Sequence, residues 1–220
     1  MHLDAIDHSV HTLYPACSGV SVRQIEFDGR VQRKMVRELL ARAGLDGSIS
    51  PEELAPAFAV AGEQYARHWE QRNDLVQDPL PGVHALLEHL ADDGRFALAI
   101  VTGTARRIAE VKLRRHRLDR YFPTGAFGDE VEDRIELVRL AISRAERHFS
   151  TSFPPGRIAA LGDTPHDIAC GHACGTAGLG IATGQHSVET LTAAGADAVV
   201  PDLTDTGAVV RALLAITGEG

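Results

Sequence analysis

The chain has 220 residues, 44% of them apolar, with a formal net charge of −8 and a pI near 5.7. That acidic balance, with no basic run to offset it, argues against general binding to nucleic acid or to an anionic membrane surface and favours small-molecule chemistry. The apolar share is enough to bury a sizeable core, as one large domain or as a core with a small appendage. No apolar run approaches the length of a membrane span. The opening MHLDAIDHSV has neither the basic start nor the apolar stretch of a signal peptide, so the expected location is cytoplasmic. Cys17, Cys170 and Cys174 make an odd count and are expected as free thiols.

From the start to about residue 72 the pattern is helical. VQRKMVRELLARAGL places Met35, Val36, Leu39 and Leu40 on one face, with Gly44 as a left-handed cap. SISPEELAPAFAVAGEQYARHWEQR opens with Ser50 as N-cap, Pro51 at the first helical position and Glu53 completing a capping box. After QDPLPG, helix alternates with strand. VHALLEHLADDG reads as an amphipathic helix, RFALAIVTG as a buried strand, and TARRIAEVKLRRHRL and IELVRLAISRAERHF as helices. RIAALGD is a second buried strand, and GLGIATG and ADAVVPDL are a third and fourth, separated by HSVETLTAAG. Strands alternating with helices predict an α/β fold with a parallel sheet covered on both faces.

Ligands of such sheets gather outside the carboxyl ends of the strands. The first strand ends in Thr102-Gly103, and the second ends in Gly162-Asp163 with Asp167 opening the next helix. A hydroxyl and the amides of a helix N-terminus suit a phosphate oxygen, and two acidic groups suit a hard cation such as magnesium. Together they outline a phosphoryl-transfer site.

The order PLPGVHALLEHL, ALAIVTGTARRIAEVKL, LDRYFPTGAFGDEVEDR and IAALGDTPHDIACGHACG resembles the haloacid dehalogenase superfamily, in particular its phosphoglycolate-phosphatase-like branch. The likeness covers about residues 20–203, and GDTPHD after a strand is its most specific element. The resemblance implies a Rossmann-like parallel-sheet core over residues 80–220 and a helical cap over residues 1–79. Thr102 then supplies the motif II hydroxyl, beside Gly103, that holds the transferring phosphoryl group, and Asp163 and Asp167 form the motif IV magnesium site. The basic residue of motif III is Arg134, in GDEVEDRIELV, with Lys112 in reserve. Lys112 lies roughly two turns along its helix at about 1.5 Å of rise per residue, so only its long side chain could return to the strand end.

The nucleophile that should face the metal is missing. Motif I of the family is a buried strand ending in Asp-x-Asp-Gly-Thr, whose first aspartate forms a phospho-aspartate. Asp4 and Asp7 are separated by two residues, no Gly-Thr follows, and only MHL precedes them. The first core strand is therefore expected to be absent from the chain, which leaves the strands ending at Thr102 and Gly162 with unpaired inner edges.

Blander assignments stand beside these. An Asp-x-x-x-Asp pair often opens a solvated helix, Thr102 alone is a strand-end residue, and Arg134 and Lys112 each have a surface alternative. His166, Cys170 and Cys174 recur every four residues, a spacing that small side chains packing on a sheet explain as well as zinc does. Arg30, in FDGR, sits where related caps carry substrate-facing residues and has an ordinary surface alternative. Two functions follow. One is a magnesium-dependent phosphatase of small phosphorylated metabolites that is inactive in this chain for want of the aspartate. The other is a non-catalytic relative that keeps part of the site for binding or interaction. Substrate identity and oligomeric state are not readable from these residues.

Overall fold

The computed structural model describes residues 2–25, 31–45, 49–50, 52–71 and 78–218. Two compact units emerge, one of Met1–Asp78, Val101–Asp119 and Ala126–Leu137, the other of Pro79–Ile100, Arg120–Gly125 and Val138–Gly220. The helical section through Asp78 lies whole in the first unit, which also takes the two later segments.

The first unit is built on helix α1 (His2–Leu13), α2 (Gln32–Arg42), α3 (Ala55–Gln71) and α5 (Arg106–Arg115). As the spacing predicts, α2 buries Met35, Val36, Leu39 and Leu40. It ends on Gly44 at φ 77°, where the Leu45 N–H reaches back to the Leu40 carbonyl at 2.9 Å. The capping box forms too: the Ser50 N–H donates to the Glu53 carboxylate at 2.6 Å, and the Glu53 N–H to the Ser50 hydroxyl at 3.3 Å. A turn at residues 52–54 intervenes before α3 begins at Ala55, so the box closes that turn instead of opening the helix directly. Pro51 lies outside the described residues. Ile6, Val10, Leu39, Leu54, Tyr65 and Ile108 share one buried core. Each such side chain contributes about 1.5–3 kcal/mol by leaving water. Helices α3 and α5 approach closely because Gly62 has no side chain; a Cβ there would lie 2.2 Å from the Arg107 Cγ.

The second unit contains α4 (Val83–Asp92), β3 (Ala159–Gly162), α7 (Pro165–His172), β4 (Ala177–Ile181), α8 (Val188–Ala193), β5 (Ala198–Val200) and α9 (Thr206–Ile216). Its strands form a parallel sheet in the order β3-β4-β5, with Leu161 opposite Leu179 and Leu179 opposite Ala198. Leu86, Leu90, Leu179, Val200, Val209 and Leu213 bury against one another. The turn into α4 needs Gly82, at φ 86°, where a Cβ would fall 1.9 Å from the Leu203 carbonyl oxygen.

The remaining sheet has two strands, β1 (Ile100–Thr102) and β2 (Gly125–Phe127). Helix α6 (Arg134–Phe149) follows. Among the described residues β1 pairs with β2 only and β3 with β4 only. One edge of β3 is thus unpaired in its sheet, and Leu161 within it is 43% exposed. The run expected as a long strand, RFALAIVTG, is a strand only at residues 100–102. Phe96 and Leu98 earlier in it pack against the second unit's core without entering a ladder. Among the described residues no helix is long and apolar enough to cross a membrane.

Candidate active site

In the first unit, Thr102 ends β1 and its hydroxyl oxygen accepts the Thr104 N–H at 3.2 Å. The next two amides, at the start of α5, also have partners within the chain. The Ala105 N–H donates to the Gln32 side-chain oxygen at 2.7 Å, and the Arg106 N–H to the Asp129 carboxylate at 2.9 Å. The sequence offered this helix start to a phosphate oxygen; in the structure it is capped by the chain's own oxygens. The surrounding loop is pinned as well. The Gln32 N–H donates to the Gly103 carbonyl at 2.9 Å, and the Gly128 N–H to the Thr104 carbonyl at 2.9 Å. Gly128 lies so close to Gly103 that a Cβ on it would sit 1.7 Å from the Gly103 oxygen.

Burial pushes the Asp129 carboxyl above its ordinary value, against the lowering effect of the Arg106 N–H. The Arg106 guanidinium carbon stands 4.1 Å from the Phe127 ring centroid, and its Nη2 lies 3.1 Å from Glu130. Lys112 is half-buried on α5, with its ammonium 5.8 Å from the centroid of the Tyr65 ring of α3. Burial holds that ammonium below its ordinary value. Arg134 is the first residue of α6 and is half-buried. The neighbouring Asp133 caps the helix, accepting the Ile135 and Glu136 N–H groups at 2.8 and 3.0 Å.

Asp163 and Asp167 belong to the second unit, the first just beyond β3 and the second in the opening turn of α7. Thr164 is the N-cap: its hydroxyl donates to the Asp167 carboxylate at 2.8 Å and accepts the Asp167 N–H at 3.1 Å. Two glycines leave room for the acids. A Cβ at Gly184 would lie 2.3 Å from the Asp163 Oδ2, and one at Gly162 would lie 2.2 Å from the Asp167 Cβ. Asp163 is exposed and Asp167 half-buried. Among the described residues no group of three or more His, Cys, Asp or Glu side chains could hold a metal, so the acids form at most a two-carboxylate site. That donor set is all oxygen and leaves most of a shell to water, which fits magnesium, an ion that dehydrates reluctantly.

The His166 Nε2 stands 3.4 Å from the Sγ of buried Cys170, one turn along α7. Asp4 and Asp7 lie on α1. Asp4 pairs with the Arg23 Nε at 3.2 Å, and Asp7 accepts the Val22 N–H at 2.7 Å and the Ser21 hydroxyl at 2.5 Å. Arg30 and the rest of FDGR lie outside the described residues. Thr102, Gly103, Lys112 and Arg134 thus share the first unit, while Asp163 and Asp167 share the second. Gln32 and Asp129 are functional candidates that motif spacing does not single out. Gln32 precedes Met35 and Val36 by three and four residues, which puts it on the buried face of α2, and Asp129 follows a Gly as Asp163 does, here one residue beyond the end of β2.

A family model described as Haloacid dehalogenase-like hydrolase matches residues 30–181. Similar solved structures include a hydrolase from Pseudomonas syringae, 20% identical, with 96% of this chain and 90% of that one covered and a TM-score of 0.60. A β-phosphoglucomutase from Clostridium difficile is 14% identical, covering 94% and 91% with a TM-score of 0.57. A protein from Haemophilus somnus described as a predicted phosphoglycolate phosphatase is 17% identical, covering 95% and 90% with a TM-score of 0.56. No curated protein matches the chain.

Proposed function

The chain belongs to the haloacid dehalogenase-like hydrolases, and from that premise we propose that it is a magnesium-dependent phosphatase fold for small phosphorylated metabolites, without turnover in the present 220 residues. The observation that carries the reading is the pair Asp163 and Asp167 at the end of a parallel strand, with Gly184 and Gly162 making room for them. In this reading residues 1–79 are the cap and residues 80–220 the core. The protein works in the cytoplasm on a small phosphorylated substrate, without nucleic-acid or membrane partners. The structures it resembles carry the names of a phosphatase and of a phosphoglucomutase, which supports the phosphorylated substrate class and leaves the particular substrate open.

Each residue has a part that its chemistry suits. The Thr102 hydroxyl and the Gly103 backbone hold phosphoryl oxygens. Arg134 offsets their charge from the start of α6, where guanidinium geometry suits phosphate. Lys112 remains the second candidate for that part, and its packing against Tyr65 favours Arg134. Asp163 and Asp167 would hold magnesium, a hard cation that supplies charge neutralisation when bound. The covalent step needs a nucleophilic aspartate at a strand end. Asp4 and Asp7 are instead on a helix, in hydrogen bonds to Arg23, Ser21 and Val22. That observation also favours the second reading, a non-catalytic relative that binds phosphoesters.

A generic phosphate ester in magnesium tests both. This chain is expected to give no hydrolysis above background, and the same chain preceded by a strand ending in Asp-x-Asp-Gly-Thr is expected to hydrolyse it. Turnover by the present chain that Asp4→Asn or Asp7→Asn abolishes would overturn the proposal. Failure of the extended protein to turn over would favour the non-catalytic relative.

A further inference from the structure

We propose that Gln32 is a positioning residue for phosphate binding at residues 102–105, fixing that turn from both sides. The inference rests on the reading of Thr102 and Gly103 as phosphate-holding groups and adds a residue from α2 to it. Gln32 is the N-terminal residue of α2 and is only 4% exposed, an unusual degree of burial for glutamine. It uses its main chain and its side chain on the same turn. The N–H donates to the Gly103 carbonyl at 2.9 Å, and the side-chain oxygen accepts the Ala105 N–H at 2.7 Å. The peptide groups on either side of Thr104 are therefore held by one residue. The Gly128 N–H holds the second of these peptide groups at its Thr104 carbonyl, 2.9 Å away.

A turn fixed in this way presents Thr102 and Gly103 without reorganising when an anion arrives, which is how preorganised donors gain affinity. The residue type fits the task. A side-chain amide offers Ala105 a neutral acceptor, so the buried N–H is satisfied and no negative charge is placed beside the phosphate. Glutamate would satisfy the same N–H and repel the ligand. Methionine has a similar length and offers no comparable acceptor.

The test titrates the full chain with inorganic phosphate in magnesium and follows the amide resonances of Gly103, Thr104 and Ala105. In the unsubstituted chain those amides should shift saturably. Gln32→Met should weaken binding about tenfold, the scale of one lost hydrogen bond that ordered the turn. Gln32→Asn, a neutral amide one methylene shorter, should not reach the Ala105 N–H and should weaken phosphate binding likewise. Lost phosphate affinity in a variant that keeps its unfolding midpoint is an effect that a side chain serving only the fold would not produce, and the asparagine variant decides the matter if the methionine variant does not fold. Unchanged phosphate affinity in a folded Gln32→Met or Gln32→Asn overturns the inference and leaves the phosphate reading standing. No phosphate-dependent shift at these amides in the unsubstituted chain overturns the phosphate reading itself, and the role given to Gln32 with it.

Discussion

Adding one methyl group at Gly128 should loosen the turn that carries Thr102. The Cβ of Gly128→Ala would meet the Gly103 oxygen at 1.7 Å and the Gly103 carbonyl carbon at 2.2 Å, and both are backbone atoms that no rotamer change can move aside. The two loops must part by roughly 1.5 Å before the contact becomes an ordinary one. Parting them stretches the Gly128 N–H bond to the Thr104 carbonyl, 2.9 Å, and the Arg33 N–H bond to the Gly128 carbonyl, 2.6 Å. Each bond is worth about 0.5–1.5 kcal/mol net, and overpacking strain adds about 1–3 kcal/mol. The smaller conformational freedom of alanine in the unfolded chain returns about 0.4–1 kcal/mol. The net expectation is a loss of about 1–5.5 kcal/mol. The chain has one tryptophan, and Trp69 is buried in the first unit's core, so its fluorescence during urea unfolding reports on the unit that contains Gly128. Gly19→Ala, in the same unit, is the control, because nothing lies within 4 Å of a Cβ built there. Equal unfolding midpoints for the two variants would refute the argument from close approach.

In the first unit, Ile108→Ala removes a side chain with 0% exposure and should cost about 2–5 kcal/mol, read by the same fluorescence. Magnesium should bind weakly and move the amides of residues 162–168; shifts centred elsewhere, or unaltered in Asp163→Asn, would show the metal is placed wrongly. Asp197 gives a pH test: the Gly178 N–H at 2.7 Å, and then His172 at 2.8 Å, hold its carboxyl below the ordinary 3.8. A lowered folded pKa stabilises above the unfolded value and loses that stabilisation as pH falls through the folded one. Because the side chain is 45% exposed, Asp197→Asn should cost only about 0.5–1 kcal/mol at pH 7. The difference should shrink below pH 3.8, as followed by far-UV circular dichroism, and a cost that stays constant with pH would count against the assignment.

Elements with strong periodicity were legible. The buried face of α2 and the strands at residues 159–162 and 177–181 stand where apolar spacing places them. What escaped lacks such a signal. The three residues of β2, Gly-Ala-Phe, are all buried, yet they show neither alternation nor β-branching and carry no strand signal. The extent of β1 escaped for a different reason. Its apolar run describes a buried segment, but a ladder requires a partner strand, and the Ile100 N–H finds one only at the Thr124 carbonyl, 3.1 Å away. Residue pattern reports burial well and pairing poorly, because pairing depends on what the rest of the chain brings alongside.

The same limit governs the site. A Gly-Asp dipeptide follows β2 at residues 128–129 and another straddles the end of β3 at residues 162–163, and the dipeptide alone does not distinguish them. Local surroundings do. Asp129 is half-buried, takes an amide of α5 and has its carboxyl pushed up by desolvation, so its oxygen is committed to closing a helix start. Asp163 is exposed, with its carboxylate beside a glycine instead of a side chain, which leaves oxygen lone pairs for a cation and its water. Gln32 extends the point. At residue 105 the sequence shows a helix start that could serve an anion, and only the fold reveals that a side chain 73 residues earlier already fills that amide. A phosphate at this turn would therefore draw on the Thr102 hydroxyl and the Gly103 backbone, because the Ala105 and Arg106 amides at the start of α5 already have partners within the chain.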